Sequence, residues 1–183
     1  MDIGEITEQL GKKAEVLGAY KAAVINASEV VTDASFRDIC EKNSCGLFGA
    51  CWVCPPECGE ISVLMAKLKE YRYVFLYQTV AALEDSFDFE GMQDAKRTHS
   101  KLSQALGNAL PEILGTGYLH LGVGGCGICE KCTKPEGLPC RFPDKALPSM
   151  EAYGIDVYRT VRNTELRYIN GKNTVTYFGA VFF

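Results

Sequence analysis

The chain has 183 residues, 47% of them hydrophobic, with 19 basic and 23 acidic side chains, a net charge of -4 and a pI near 5.3. That is enough apolar material for one buried core and too much for a disordered segment. The acidic balance excludes nucleic acid and anionic membranes as partners, because phosphate contacts need clustered Lys and Arg.

In chain order, "MDIGEITEQL" lacks the basic start and apolar run of a signal peptide, so a cytosolic protein is expected. Ile3, Ile6, Leu10 and Leu17 predict an N-terminal helix, and "YKAAVI" a first strand. After Pro55 and Pro56, the positions Ile61, Leu64, Met65 and Leu68 repeat at helical spacing, with Lys67, Lys69 and Glu70 on the other side. "RYVFLYQTV" is aromatic and β-branched over a strand's length, and Gln78 and Thr79 break the apolar run short of a membrane span. Met92, Ala95, Leu102, Leu106 and Ala109 mark a second amphipathic helix that Pro111 is expected to end. "GYLHLGV" reads as a short strand, and "ELRYI" and "NTVTYFGAVFF" flank Asn170 and Gly171, the pair that favours a type I′ hairpin turn. The expected fold is α/β or α+β: one domain over residues 1–183, a mixed central sheet flanked by helices, with cysteine-rich loops at 40–58 and 124–140.

Nine cysteines in a reducing compartment point to metal ligands rather than a disulfide framework, and an odd count agrees. Cys126, Cys129, Cys132 and Cys140 form the pattern CxxCxxCx7C. Three thiolates at successive two-residue gaps let one loop wrap three corners of an iron–sulfur cubane, whereas a zinc ion usually takes one CxxC knuckle from each of two places. The spacing favours [4Fe-4S], with structural zinc as the alternative. Gly122, Gly124, Gly125 and Gly127 let backbone N–H groups approach sulfur, and Lys131, Lys134, Arg141 and Lys145 offset thiolate charge. Unlike a common ferredoxin run, the fourth cysteine follows after seven residues and has Pro139 before it. In the first group, Cys40, Cys45, Cys51, Cys54 and Cys58 allow several ligand sets, and the lone tryptophan, Trp52, is suited to shield a cluster from water.

"CEKNSC", "WVCPP", "LGVGGCGICEKC" and above all "LPCRFPDKALPSMEAYGIDVYRT" resemble the family of predicted metal-binding proteins catalogued as domain of unknown function 2284, from about Cys40 to the C-terminus. The resemblance implies three ligands in the first motif, Cys40, Cys45 and Cys54, and four in the second, Cys126, Cys129, Cys132 and Cys140. Cys51 and Cys58 depart from the pattern and are the further ligand candidates. Three thiolates around a cubane leave one iron open, so the implied cofactor is one [4Fe-4S] cluster or two, the second with an open iron. All seven cysteines around one site is the other arrangement.

His99 shares the apolar helix face and reads as a hydrogen-bonded core histidine, as does His120 in the strand entering the second loop. Glu84, Asp85, Asp88 and Glu90 read as a solvated acidic loop. Ser149 and Glu151 read as the start of a helix after Pro148, while a functional role for them, Tyr153 or Asp156 rests on the resemblance. "GVGGCG" lacks the lysine and serine or threonine of a P-loop, and no nucleophile motif appears. The expected function is redox or accessory, with a redox partner protein or a small-molecule substrate, as monomer or oligomer. An enzyme using the open iron and a zinc-stabilised interaction module are the alternatives.

Overall fold

The computed structural model describes residues 2–183. Helix α1 (Ile3–Val16) starts at Asp2, whose carboxylate accepts from the Gly4 N–H while Glu5 reaches back to the Asp2 N–H, a reciprocal cap. Strands β1 (Lys21–Asn26), β2 (Tyr73–Ala82), β3 (Leu119–Leu121) and β4 (Thr174–Phe182) form one sheet in the order β1-β2-β4-β3. The α+β form of the expectation is the one realised, with every strand pair antiparallel rather than mixed in direction.

The strand period of two sorts the core onto two faces. Phe75 and Tyr77 of β2 and Val181 of β4 pack with Leu10 and Ala14 of α1 and Leu102, Leu106 and Leu110 of α4 (Phe89–Leu114). Val74 and Leu76 of β2 and Phe178, Ala180 and Phe182 of β4 face the other way, onto α3 (Ile61–Leu68), α5 (Val157–Val161) and the segment around Met150 and Ile155. Leu10, Leu106 and Leu110 are fully buried, each stabilising by about 1.5–3 kcal/mol relative to exposure. A further short helix, α2 (Phe36–Glu41), leads into the first cysteine loop.

Two local expectations are overturned. Pro111 does not end α4, which runs on to Leu114 before Gly115 stops it at φ 72°. The residue that its ring crowds four positions back is Gly107, whose lack of a side chain leaves the last turn room to adjust. Asn170 and Gly171 do not join two paired strands, because "ELRYI" forms none. Leu166 of that segment is buried in the core and the Arg167 N–H donates to Gln78 Oε1 at 3.3 Å, which ties the segment to the sheet through side chains. A type I′ turn needs positive φ at both central residues; Gly171 has φ 126° but Asn170 has no positive φ, and β4 takes β2 and β3 as its neighbours.

The second cysteine loop leaves the edge strand β3 and is closed at its base, where the Gly122 N–H donates to Pro148 O and the Met150 N–H donates to Gly122 O, at 2.8 and 3.1 Å. Ser149 does start a short helical turn, a 3-10 turn at Glu151–Tyr153, by accepting the Ala152 N–H at 3.1 Å. Asp156 caps α5 through the Arg159 N–H at 2.9 Å, and Asp88 caps α4 through the Gly91 N–H at 2.8 Å. No helix among the described residues is long and apolar enough to cross a membrane.

Candidate metal centre

The two cysteine loops, far apart in sequence, are fastened to each other. The Trp52 Nε1–H donates to Leu138 O at 3.1 Å, and Lys134 lies over the Trp52 ring at 4.6 Å while pairing with Glu57 at 2.7 Å. The cation–π contact contributes on the order of 0.5–1 kcal/mol. Gly125 permits the closest approach: a Cβ there would collide with Leu47 of the first loop. Within the second loop, the Thr133 hydroxyl donates to Pro139 O and Arg141 donates to Lys131 O, and Gln104 of α4 anchors it through Lys145 O at 2.7 Å.

Two adjoining cavities lie between the loops. The first, about 210 Å³, is lined by Cys126, Cys129, Cys132 and Cys140 together with Cys51. Leu47, Trp52, Val53, Ile128 and Phe142 supply an apolar wall, and Lys96 and Arg141 bring positive charge to its edge. The second, about 360 Å³, is lined by Cys40, Cys45 and Cys54 together with Lys96, Ser149, Glu151 and Tyr177. Leu47, Lys96 and Gly125 line both. The four cysteines of the second loop thus share one cavity, and Cys40, Cys45 and Cys54 share its neighbour.

Cys51 is the residue whose place the spacing does not reveal. Only 4% exposed, it turns into the four-cysteine cavity although it belongs to the first loop. The Cys54 thiol donates to the Cys51 sulfur, which pulls Cys51 down to about 5 and pushes Cys54 up; the backbone N–H groups of Val53 and Cys126 and the Cys132 thiol also point at Cys51. The Cys51–Cys54 contact therefore joins the two cavities. Cys58 packs against the sheet core instead, where burial pushes its thiol up and Arg37 opposes the shift. Burial also pushes up Cys126 and Cys40, so metal binding at either cavity must displace protons. All nine cysteines are free of disulfides.

The donor chemistry fits an iron–sulfur group: soft thiolates around a mostly apolar space, with cations at its rim. Among the described residues, no three Cys, His, Asp or Glu side chains are drawn together tightly enough to hold a single metal ion.

The histidines lie behind this region. The Ser103 hydroxyl donates to His99 O at 3.0 Å and Tyr77 donates to Ser103 at 2.8 Å, so the Tyr77 oxygen accepts from His120 Nε2–H at 2.8 Å. His99 Nδ1 bonds Thr79 Oγ1 at 2.9 Å. Both rings are buried, as expected of core histidines. Burial lowers His99 to about 4 and His120 to about 3, the second helped by its neighbour. Both are neutral in the folded state at neutral pH, and the unfolded chain takes up their protons first as pH falls below 6.5. Stability is therefore expected to decline from that point toward pH 4 and 3, each histidine costing about tenfold in the folding equilibrium per pH unit. Urea midpoints near pH 7 and about pH 5 check this; equal midpoints would contradict it.

No curated protein and no solved structure matches the chain significantly. A family model described as predicted metal-binding protein (DUF2284) does match, over residues 23–183, a span that contains both cysteine loops and both cavities. The chain belongs to that family.

Proposed function

We propose that this is a cytosolic iron–sulfur protein in redox metabolism, with a [4Fe-4S] cluster on Cys126, Cys129, Cys132 and Cys140 and a second cluster on Cys40, Cys45 and Cys54. The observation that carries this reading is the division of the thiols between two touching cavities, the four cysteines of the second loop joined by Cys51 in one and three in the other. When bound, a fully ligated cluster supplies one-electron transfer, and a three-thiolate cluster supplies an iron free to bind a substrate atom. The chain's own residues support both roles. Leu47, Trp52, Val53 and Phe142 give the four-cysteine cavity an apolar lining, Arg141 offsets thiolate charge, and the Cys51–Cys54 contact gives a short route between the centres. The partner is a redox protein or a small-molecule substrate.

A second reading, an enzyme working at the three-cysteine centre, is favoured by one feature. Of the two cavities, that one alone has Ser149 and Glu151 in its lining with its cysteines.

Iron, zinc and acid-labile sulfide analysis of anaerobically purified protein, with its visible spectrum, tests the proposal. A brown protein with iron and sulfide in equal amounts is expected. A colourless, zinc-loaded protein without sulfide would overturn both iron readings and leave a zinc-stabilised module.

A further inference from the structure

Lys96 has an unusual position for a residue on the polar side of an amphipathic helix. It projects from α4 between the cysteine loops and lines both cavities. Its Nζ lies against the backbone of the second loop, where a Cβ on Gly124 would stand only 2.9 Å away; Gly124 adopts φ 59°. Yet the ammonium makes no ion pair within 4.0 Å and no hydrogen bond among the described residues. Glu151 lines the same cavity and feels the Lys96 charge through space, but its carboxyl accepts from its own N–H and the Ser149 hydroxyl, and burial outweighs these and pushes it up.

The three-cysteine cavity therefore holds a half-buried ammonium that no ion pair or hydrogen bond among the described residues engages, facing about 360 Å³ of space. Leu47, Phe48, Val123 and Ala152 give the same cavity an apolar wall that suits a short carbon skeleton. One ammonium, with no arginine among the lining residues, matches the charge of a single carboxylate better than that of a phosphate dianion.

We propose that the three-cysteine cavity binds a small carboxylic acid, its carboxylate held by Lys96 and its carbon chain laid along Leu47, Phe48 and Val123. This rests on the reading that Cys40, Cys45 and Cys54 hold the neighbouring cluster, which would place the ligand's far end beside the open iron. Lys96 is then a ligand-binding residue that sets substrate class, and Gly124 is the residue that gives its ammonium room.

The test uses anaerobically purified protein, calorimetric titration with acetate, lactate and malonate, and propane-1,2-diol as the uncharged counterpart of lactate. The paramagnetic resonance spectrum of the reduced protein is recorded with and without each. At least one acid is expected to bind, with no heat from the diol. Binding should weaken about tenfold or more in Lys96→Gln and be largely kept in Lys96→Arg. The resonance of only one cluster should change. No binding of any acid, equal binding of lactate and the diol, or unchanged affinity in Lys96→Gln would overturn the proposal. Iron and sulfide content separates the two levels: two clusters present without acid binding sinks the ligand alone, whereas iron confined to the four-cysteine cavity sinks the reading of the second centre. Unaltered iron content and thermal midpoint in Lys96→Gln show that its effect is not misfolding.

Discussion

Cys129→Ser is expected to strip the four-cysteine cavity of its cluster, removing about half of the bound iron and acid-labile sulfide, while Cys51→Ser leaves iron nearly intact. The contrast follows from where the two sulfurs stand. Cys129 lies in the middle of the CxxCxxC run and also borders an opening lined by Glu130, Lys131 and Arg141, so its corner of the site faces the loop's outer edge. Cys51 is on the inner side, engaged with Cys54, Cys126 and Cys132. A fifth thiol committed there is badly placed to replace the one lost at Cys129. Removing Cys51 itself leaves all four cysteines of the second loop in place and is expected to change the link between the two cavities. The expected signature of Cys51→Ser is thus normal iron with altered magnetic or redox coupling between the clusters. Equal iron loss in the two variants would place Cys51 in the ligand set and remove one of the four from it.

How these positions come together also marks what the sequence can and cannot reveal. The CxxCxxCx7C run is local, so its four cysteines needed no knowledge of the fold to be grouped. The amphipathic repeats of α1, α3 and α4 and the apolar run of β2 are local as well, and each formed within a few residues of its expected bounds. Cys51 is different, because its direction is set by a contact between loops 86 residues apart, the Trp52–Leu138 hydrogen bond, together with the Leu47–Gly125 approach. Lys96 was hidden for a similar reason. On a helix it reads as one more solvated lysine, and only the backbone path at Gly124 makes it part of a cavity wall. The Asn170–Gly171 signal erred in the opposite sense: a strong local turn preference gave way to β4 lying between β2 and β3, where Ala180, Val181 and Phe182 are fully buried.

Gly179→Ala is expected to destabilise the fold by up to roughly 3 kcal/mol, although the change adds one methyl group. Gly179 of β4 lies directly opposite Tyr77 of β2, and the tyrosine ring leans across it; a Cβ would collide with the hydroxyl end of that ring. The ring has no room to yield, since Tyr77 is fully buried and its hydroxyl is fixed by Ser103 and His120, both at 2.8 Å. Either the overpacking strain stays, costing about 1–3 kcal/mol, or the ring shifts and leaves buried polar groups unpaired at a similar cost. For a chain of this length that corresponds to a fall in thermal midpoint on the order of 10 °C. Tyr77→Phe should cost less by itself. Combined with Gly179→Ala it should cost less than the sum of the two, because a ring released from Ser103 and His120 can shift away from the new methyl. Strict additivity in that double-mutant cycle would mean the methyl meets something other than Tyr77. His120 also ties the effect to the metal region: it sits on β3, the strand that delivers the chain into the second cysteine loop. A Gly179→Ala protein that still folds should therefore load iron less completely, and measuring both midpoint and iron content would show whether the sheet sets the position of the loop.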